Sequence, residues 1–504
     1  MQRVDQKTIK SYGIAAPVLM ERAGLAVVSR ITERFEPGKV LVIAGTGNNG
    51  GDGIMAAREL NNMGIGYRAS VLIAGKKDKL SRDAMAQYRT AMEFGVPIRF
   101  TTKPRIEDFH GAVVIDALFG TGLSKDIKGS FAVIVDMIND SGCPVVSVDI
   151  PSGVSADTGQ VLGTAVQADI TVTFGALKRG HLLYPGAELS GEVFVQDIGF
   201  PRHLLAEISC NVLGSQEVGL LIPERAPDSH KGDFGHLLVI AGSSGKTGAA
   251  FMAAEAAMRT GAGLVTLAAP HDLAAIYQSR VTEAMVLPLP STGEGAFSGN
   301  AIGEILDFAA TSATAIALGP GIGLDPDTAG LVRELLEQSP VPVVLDADGI
   351  NALGKKAESI LGASRSPVIL TPHPGEFSRI SGLSALEIQA DRPEAALSFA
   401  KKSGSYLVLK GAPTVIAGPE GELFINTTGG TALSKGGSGD VLTGITGALS
   451  AMGMSPLEAS LLGVYLHGLA GDMAADTLGD FSVLASDITG RIPDAMRHLA
   501  GENQ

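Results

Sequence analysis

Short apolar runs alternate with longer segments of helical spacing along most of the chain. Between the runs, segments such as AMAQYRTAMEF place apolar residues every three or four positions. Near-continuous apolar strands separated by helices are typical of a parallel sheet that is covered by helices on both faces. The pattern therefore predicts an α/β fold. In the first half of the chain the predicted strands are KVLVIAG, YRASVLIAG, AVVIDALFG, CPVVSVDIPSG and DITVTFG.

The alternation lapses around residues 205–225 and then begins again. A chain of 504 residues also exceeds the length of one ordinary domain, which is about 100–200 residues. From Gly439 onward the pattern is mostly helical. We therefore predict two α/β domains, residues 1–212 and residues 213–504. The strands predicted in the second domain are HLLVIAG, LVTLAAP, AIALGPG, VPVVLDADG, SPVILTP, YLVLKG and PTVIAG.

Composition narrows the kinds of partner that the chain can bind. It has 53 acidic and 39 basic residues, a formal net charge of -14, 5% aromatic residues and no tryptophan. Because this balance repels polyanions and offers little stacking surface, we expect neither nucleic acid nor an anionic membrane as a partner. With two cysteines that are not closely spaced and no visible signal peptide or membrane span, the chain is expected to be cytoplasmic. Its expected partners are small molecules and further copies of the same chain.

Oxygen-bearing side chains follow three predicted strands of the first domain. The first strand runs into GTGNNGGDG at 45–53, another ends at Asp116 before GTGLSKD at 120–126, and a third ends at Asp149 with Ser152 close behind. Ligands of open parallel sheets bind beyond the carboxyl ends of the strands, so these groups are expected to converge. A single aspartate among neutral oxygen ligands suits a monovalent cation better than magnesium. Each residue alone could instead cap a helix or shape a turn.

The segment at 45–53 also spells G-x-G-x-x-G, the fingerprint of dinucleotide-binding folds. That fingerprint requires an acidic residue about 20 positions further on, at the end of the second strand, to bind the ribose. In this chain the second strand ends in Gly75, Lys76 and Lys77. These lysines either face a 2'-phosphate or form a solvated turn. The motif alone is therefore weak evidence for hydride transfer.

Four segments together carry a resemblance: GTGNNGGDG, DALFGTGLS, VDIPSGVSADTG and TVTFGALKRGHLLYPG. In this order they resemble the epimerase domain of NAD(P)H-hydrate repair enzymes, over most of residues 1–210. The resemblance implies a Rossmann-like parallel-sheet domain that interconverts the C6 epimers of hydrated NADH and NADPH (NADHX and NADPHX). It also implies potassium bound by Asn49, Asp116 and Ser152. The implied substrate contacts are Asn48, Asn49, Gly50, Gly51, Asp52, Gly120, Thr121, Gly122, Leu123, Ser124, Lys125, Asp126 and Asp149.

Epimerisation gives Asp149 a candidate chemical role. A carbon that bears both a hydroxyl group and a nitrogen inverts through reversible loss of its leaving group, which an acid or base of suitable pKa assists. Asp149 is expected to be buried at a strand end, where such pKa values are tuned. The alternative role for this aspartate is a helix cap before Pro151.

In the second half, the segment SKGGSGDVLTGITGALS at 434–450 runs from glycines directly into a helical pattern. Backbone N–H groups of Gly437, Ser438 and Gly439 are expected to point at an anion that the helix dipole also stabilises. Asp440 would stand beside this anion as a base for a hydroxyl group. The alternative is an N-capped helix after a flexible loop.

A second glycine-rich segment, HLLVIAGSSGKTGAA, invites comparison with a nucleotide-binding P-loop. The P-loop motif requires a glycine five residues before Gly245, and Ile240 stands there. Lys246 is therefore expected to be an exposed loop lysine. HKGDFGH contains two histidines without a carboxylate or cysteine cluster, so no zinc site is expected.

Six segments of the second half carry a further resemblance: DSHKGDFG, GPGIG, DADGIN, TPHPGE, LKGAPT and GGSGDVL. They resemble the dehydratase domain of the same repair family, from about residue 225 onward, which implies a ribokinase-like fold. The domain would remove water from the S epimer with ADP as co-substrate and magnesium, whereas eukaryotic members use ATP. The implied contacts to the hydrated cofactor are Gly323, His373 and Asp440, and those to the nucleotide are Lys410, Gly411, Ala412, Pro413, Thr414 and Gly439. The family usually reads TGN where this chain has TGG at 428–430, which leaves a side-chain role at Gly430 open.

The two halves predict one repair enzyme, because the first supplies the epimer that the second consumes. One alternative is a vitamin or sugar kinase fused to a dinucleotide-binding regulatory module. A non-enzymatic alternative is a nucleotide-sensing scaffold. The choice between ADP and ATP, and between NADHX and NADPHX, stays open at the level of sequence.

Overall fold

A computed structural model of the protein describes residues 1–501. Its contacts divide the chain into two compact units, Met1–Ile208 and Ser209–Gln504. The predicted boundary after residue 212 therefore falls inside the second unit. The reason is that Cys210–Val212 forms a strand of the second sheet.

The first unit is built on a seven-stranded parallel sheet with the order β3-β2-β1-β4-β5-β6-β7. Its strands are β1 Lys39–Ala44, β2 Arg68–Ile73, β3 Ile98–Phe100, β4 Ala112–Ala117, β5 Val145–Val148, β6 Ile170–Phe174 and β7 Glu192–Gln196. Its helices are α1 Gln2–Lys10, α2 Ala16–Arg34, α3 Asn48–Asn62, α4 Arg82–Glu93, α5 Ile106–Phe109, α6 Ser130–Asp140, α7 Gly186–Leu189 and α8 Arg202–Ala206. This strand order is that of the Rossmann fold, and the order reverses between β1 and β4.

Glycines allow the helix after β1 to pack closely against the sheet. A Cβ atom on Gly50 would lie 2.1 Å from the carbonyl oxygen of Gly45, and one on Gly53 would lie 2.5 Å from the Ala117 side chain. Neither position therefore tolerates a side chain without displacement of α3. The close packing of α3 on β1 and β4 directs the start of the helix toward the point where the strand order reverses.

The second unit contains a ten-stranded sheet with the order β11-β10-β9-β12-β13-β14-β15-β16-β17-β8. Its strands are β8 Cys210–Val212, β9 His236–Ile240, β10 Leu264–Pro270, β11 Met285–Leu289, β12 Ala315–Leu318, β13 Val343–Leu345, β14 Val368–Leu370, β15 Tyr406–Leu409, β16 Thr414–Ala417 and β17 Leu423–Asn426. The pairs β15–β16 and β16–β17 are antiparallel, and the others are parallel. Here the strand order reverses between β9 and β12.

Helices cover the second sheet, and the predicted apolar runs form the core between the sheet and these helices. They are α9 Ser215–Gly219, α10 Thr247–Thr260, α11 Ala274–Arg280, α12 Ile302–Thr311, α13 Pro326–Gln338, α14 Ala347–Asn351, α15 Ala357–Gly362, α16 Pro374–Ser381, α17 Ala385–Ala390, α18 Arg392–Ser403, α19 Ser438–Ala451, α20 Pro456–Leu478 and α21 Ala485–Gly501. The last three confirm the mostly helical pattern from Gly439 onward. None of the helices within residues 1–501 has the length and apolar character that crossing a membrane requires.

The predicted α/β fold is confirmed, and each predicted strand is present. Five strands were not predicted: β3, β7, β8, β11 and β17. Four of these are the outer strands of the two sheets. Edge strands are only partly buried, so their sequences lack the continuous apolar run that identifies a central strand.

Candidate functional site

The first unit contains a cavity of about 630 Å³ at the carboxyl ends of its central strands. Its walls include residues 46–49 after β1, residues 118–125 after β4, Asp149 after β5 and Lys178 after β6. Residues of the N-terminal helices α1 and α2 also line the cavity. The cavity thus lies where the strand order reverses, which is the expected ligand position in such a fold.

Most of the predicted substrate contacts line this cavity, and three do not. Asn48, Asn49, Asp52, residues 120–125 and Asp149 are part of the lining. The three exceptions are Gly50, Gly51 and Asp126. Both glycines are buried, because they serve the packing of α3: a Cβ atom on Gly51 would lie 2.7 Å from the Met20 side chain. Asp126 instead pairs with Lys128 at 3.3 Å.

Asp149 forms an ion pair with a lysine that was not predicted as a site residue. The Lys178 ammonium donates to Asp149 Oδ1 at 2.5 Å, to Thr173 Oγ1 at 2.7 Å and to the Phe174 carbonyl at 3.1 Å. These bonds occupy all three of its donors. Burial alone would raise the pKa of Asp149, but the charge and hydrogen bond of Lys178 lower it below its ordinary value. Asp149 is therefore a carboxylate at neutral pH.

The backbone of Asp149 is also held in an unusual conformation. Its φ of 69° lies in the left-handed region, which side-chain-bearing residues rarely adopt and which is common at functional sites. His181 Nε2 donates to the Asp149 carbonyl at 3.0 Å, while His181 Nδ1 accepts the backbone N–H of Lys178 at 3.2 Å. Burial and the nearby Lys178 ammonium lower the pKa of His181 to about 4, so the ring is neutral. Lys178 therefore holds the side-chain carboxylate of Asp149, and His181 holds its backbone carbonyl group.

Two of the three predicted potassium ligands are in direct contact. Asp116 accepts hydrogen bonds from Ser152 Oγ at 2.6 Å, from the Ser152 N–H at 2.8 Å and from Ser147 Oγ at 2.9 Å. Burial raises the pKa of this fully enclosed carboxyl group. The loop after β4 links Asn49 to this pair. The side chain of Asn49 packs against Gly120, and the N–H of the preceding residue, Phe119, donates to Ser152 Oγ.

A second carboxyl group of the cavity has the opposite electrostatic environment to that of Asp149. Burial and the neighbouring carboxylates of Asp149 and Asp5 raise the pKa of Asp52 well above its ordinary value. Burial and the carboxylates of Asp149 and Asp83 also raise the pKa of Asp5 on α1. The cavity therefore contains one carboxyl group stabilised as the anion and another stabilised as the neutral acid.

The second unit has its acidic centre at the start of α19. Gly437 precedes the helix with a φ of 93°, and Asp440 lies in the first turn. Burial and the carboxylates of Asp346 and Asp348 raise the pKa of Asp440 to about 7, although Lys410 opposes the shift. A carboxyl group with this pKa is suited to accept a proton near neutral pH.

Lys410 connects two of the predicted elements. Its ammonium donates to Asp346 Oδ1 at 2.9 Å, and Thr443 Oγ1 on α19 donates to Asp346 Oδ2 at 2.8 Å. A Cβ atom on Gly439 would lie 3.1 Å from Lys410 Nζ. Burial alone would lower the pKa of Lys410, but Asp346 raises it, so the ammonium keeps its charge. The structure thus brings Gly439, Asp440 and Lys410 together.

Buried Arg392 on α18 determines the conformation of the loop after β15. Its guanidinium donates to the carbonyl oxygens of Leu409, Lys410 and Ala412 at 3.1–3.3 Å. A Cβ atom on Gly411 would lie 2.4 Å from this guanidinium, so only glycine is compatible with the arrangement. Arg392 therefore fixes the first part of the predicted nucleotide segment, from Lys410 to Ala412.

Two side chains of α20 hold the first residue of α19 and the glycines at 429–430. His467 Nε2 lies 3.1 Å from Ser438 Oγ, and burial lowers the pKa of His467 to about 4. Asp472 accepts the N–H groups of Gly429 and Gly430, each at 2.9 Å. Gly430 itself is exposed, and its backbone rather than a side chain makes this contact.

The remaining predicted contacts lie at neighbouring strand ends. The Gly323 N–H donates to Asp348 Oδ2 at 3.0 Å, and Lys246 Nζ donates to the same oxygen at 3.0 Å. His373 begins α16, where its Nδ1 accepts the N–H of Gly375 at 3.0 Å, and its side chain is 52% exposed. Half of this imidazole is therefore free to meet a ligand even though the ring also caps a helix.

The sequence motifs did not identify four residues of the candidate sites: Lys178, Arg392, His467 and Asp472. Only Lys178 had a detectable signal, because a buried aspartate requires a compensating cation and this lysine follows the neighbouring strand. The others lie on helices far from the motifs that they support, and no local pattern identifies them.

Comparison with known proteins adds the identity of both units. The family of NAD(P)H-hydrate dehydratases matches residues 237–494, just over half of the chain. The family described as YjeF-related protein N-terminus matches residues 16–180. Together with the two sites, these matches define a two-domain α/β enzyme of nucleotide repair. The chain belongs to the family of bifunctional NAD(P)H-hydrate repair enzymes, because relatives of that name are 40% identical to it over at least 98% of its length, which confirms the resemblance found in the sequence.

Individual relatives extend over the whole chain. The bifunctional NAD(P)H-hydrate repair enzyme of Thermofilum pendens is 40% identical over 98% of this chain and 95% of its own. That of Moorella thermoacetica is 40% identical over 100% of this chain and 96% of its own. Among solved structures, the ADP/ATP-dependent NAD(P)H-hydrate dehydratase of Bacillus subtilis, co-crystallised with ATP/Mg2+, is 34% identical with a TM-score of 0.51. It covers 57% of this chain and 98% of its own. A ribokinase-like superfamily protein of Enterococcus faecalis is 29% identical with a TM-score of 0.50 and covers 58% of this chain and 97% of its own, which agrees with the predicted ribokinase-like fold of the second unit.

Proposed function

We propose that this chain repairs hydrated NADH and NADPH in two steps. The first unit interconverts the R and S epimers, and the second unit dehydrates the S epimer with ADP, which yields the reduced cofactor, AMP and phosphate. The observation that carries the proposal is the pair of separate acid–base centres, Asp149 with Lys178 in one unit and Asp440 with Lys410 in the other. Each centre has a carboxyl group whose pKa suits the chemistry assigned to it.

Epimerisation requires the C6–O bond of the reduced ring to break and to form again on the opposite face. The lone pair of the ring nitrogen forms the C=N bond as the hydroxyl group leaves as water. Asp149 is a carboxylate, so it stabilises the cationic ring and accepts a proton from the returning water. We assign donation of the proton to the departing hydroxyl to Asp52, which favours its neutral form. Two carboxyl groups with opposite pKa shifts in one cavity are a recurring arrangement of acid and base.

The residues around Asp116 suit a potassium ion. Asn49 Nδ2 is buried and has no hydrogen-bond partner among residues 1–501, and the two ends of an amide are interchangeable in such an assignment. Turned over, the amide would offer a buried, unpartnered oxygen to a cation, in addition to the oxygens of Asp116 and Ser152. A bound monovalent cation would supply the positive charge that a buried carboxylate needs.

Exchange of potassium for tetramethylammonium should therefore slow epimerisation several-fold and lower the melting temperature, because the cation binds only the folded site. Epimerisation rate and thermal melting should be measured in both salts, with sodium as a third. Asp116→Asn should abolish the difference between the salts. Equal rates and equal melting temperatures in all salts would contradict the assignment.

Dehydration uses a phosphate ester to make the oxygen a good leaving group. Asp440 removes the proton of the ring hydroxyl, whose oxygen then attacks the terminal phosphoryl group of ADP, and AMP leaves. The C6–O bond breaks with electron donation from the ring nitrogen, phosphate departs, and the neighbouring ring carbon loses a proton. The N–H groups at the start of α19 and the segment 410–414 would bind the nucleotide, together with magnesium. Gly323 and His373 would contact the hydrated cofactor.

The pH dependence of the two activities should differ. Since Asp440 acts as a base with a pKa of about 7, dehydration should fall about tenfold per pH unit below that value and level off above it. Asp149 has a lowered pKa and stays ionised, so epimerisation should change little between about pH 7 and 6. The values of kcat/KM for both reactions, measured across this pH range, test the expectation. A dehydration profile that is flat below pH 7 would argue against Asp440 as the base.

One assay tests the proposed function against its alternatives. Purified protein is incubated with mixed NADHX epimers and ADP or ATP, and absorbance of NADH is followed. A repair enzyme converts both epimers to NADH, so the NADH absorbance returns in full. A vitamin or sugar kinase instead leaves a stable phosphorylated product, and a sensor leaves the mixture unchanged. Preference for ADP over ATP would support the assigned co-substrate.

A further inference from the structure

The point where the strand order reverses in the second unit lies between β9 and β12, and the proposed function assigns a ligand contact there to Gly323 but none to the loop after β9. The ends of these strands are adjacent, because Ile240 pairs with Leu318. Their loops interlock: the Gly242 N–H donates to the Pro320 carbonyl at 2.7 Å, and Ser243 Oγ donates to the Gly321 carbonyl at 2.7 Å. In open α/β sheets, this crevice is the preferred position for a ligand.

Lys246 projects from the first of these loops over the second. A Cβ atom on Gly321 would lie 3.1 Å from Lys246 Cβ, so the lysine stem packs directly on the loop that contains Gly323. The ammonium donates to Asp348 Oδ2, the oxygen that also accepts the Gly323 N–H. The Lys246 side chain nevertheless remains 54% exposed, whereas that of Asp348 is 17% exposed. The cation is thus positioned against Gly323 while it keeps donors free for a ligand.

The charges of the surrounding groups make this position significant. The carboxyl groups of Asp346 and Asp348 both act electrostatically on Asp440, and the nearby ammonium of Lys410 is already paired with Asp346. A hydrated dinucleotide carries two negative charges on its diphosphate, and NADPHX carries further charge on the 2'-phosphate. Such a ligand requires a cation close to its phosphate groups if it is to bind beside so many acids.

We propose that Lys246 binds a phosphate group of the hydrated dinucleotide at the crevice between β9 and β12, while the reacting ring lies at Asp440. This inference rests on the proposed dehydratase function and extends it to the part of the substrate remote from the reacting ring. It also gives a role to the glycine-rich segment after β9, which fails as a P-loop. Asp348 holds the ammonium in place before the substrate arrives.

The test compares Lys246→Met with Lys246→Arg and with Lys402→Met, which removes the same charge from an exposed position on α18. KM and kcat for S-NADHX, S-NADPHX and ADP are measured for each protein, together with melting temperature. Lys246→Met should raise KM for both hydrates about tenfold, the effect of losing one charge-assisted hydrogen bond, with kcat and the KM for ADP unchanged. Lys246→Arg should keep KM within about twofold of the wild type, because it preserves the charge. Lys402→Met should change nothing.

The two substrates distinguish the source of the phosphate. Equal effects on NADHX and NADPHX identify the diphosphate, and an effect on NADPHX alone identifies the 2'-phosphate; both results support a phosphate contact. An unchanged KM for both hydrates, or a change in the KM for ADP instead, would overturn the proposal. Equal losses for hydrate and ADP with a lower melting temperature would also overturn it, since Lys246 would then be a structural clamp. If the wild-type protein itself did not dehydrate S-NADHX, the proposed function rather than this contact would be at fault.

Discussion

Asp440→Asn should lower kcat for dehydration about 10³-fold and leave epimerisation at the wild-type rate. The amide has the same shape as the carboxyl group but does not accept the hydroxyl proton, so the substrate oxygen stays a poor nucleophile. The effect should appear in kcat more than in KM, because the lost interaction belongs to the transition state. Single-turnover formation of NADH from S-NADHX and ADP measures it, with R-to-S conversion followed in the same sample.

Asp307→Asn on α12 is the matched control for this variant, because Asp307 is an exposed aspartate of the same unit. It should leave both activities unchanged. Joint loss of dehydration and epimerisation in Asp440→Asn would contradict two independent centres. Near-normal dehydration in this variant would remove Asp440 from the role of base.

Lys178→Met should lower the kcat/KM of epimerisation about 10²-fold at pH 7 and leave dehydration intact. Without the ammonium, burial raises the pKa of Asp149, and the carboxyl group becomes protonated and inactive as a base. The activity should therefore recover partly as pH rises, whereas the wild type should change little in this range. A pH profile of epimerisation for both proteins measures this shift, which a general loss of folding would not produce.

Two further variants separate the charge of Lys178 from its place in the packing. Lys103→Met removes an exposed lysine of the same unit and should have no effect. The double variant Lys178→Met with Asp149→Asn removes both charges, so it should melt higher than Lys178→Met at alkaline pH and still lack epimerisation. A single Lys178→Met variant with a wild-type rate and profile would show that Asp149 does not depend on this pair.

The motifs in the sequence identify most of the site, because they lie at strand ends and strand ends converge. Examples are Asp116 and Asp149, which lie at the ends of buried strands, and Asn49 and Asp440, which lie in the first turn of a helix. The orientation of their neighbours could not be inferred in the same way. Gly50 and Gly51 belong to the same motif as Asn49, yet their Cα atoms face the strand and α2 rather than the cavity. The helical period determines which face of α3 each residue occupies, and a motif read as consecutive letters does not show that face.

The protonation state of each carboxyl group also could not be predicted from the sequence. Asp149 and Asp52 are both acids near the ends of strands of one sheet, but one contacts an ammonium at 2.5 Å and the other faces carboxylates. The resulting pKa shifts have opposite signs. They depend on Lys178, which lies 29 residues from Asp149 along the chain.

The sequence by itself determined the α/β class, the existence of two domains, the family resemblance and the strand ends that carry the candidate site residues. These features follow from local hydrophobic period and from glycine, asparagine and aspartate at fixed spacing, which act over a few residues. Only the tertiary structure decided which acids are charged, which glycines serve packing, and how Lys178, Arg392 and Lys246 contact their partners. Those contacts join segments far apart in the chain, and burial, charge and distance between such segments exist only once both sheets have formed.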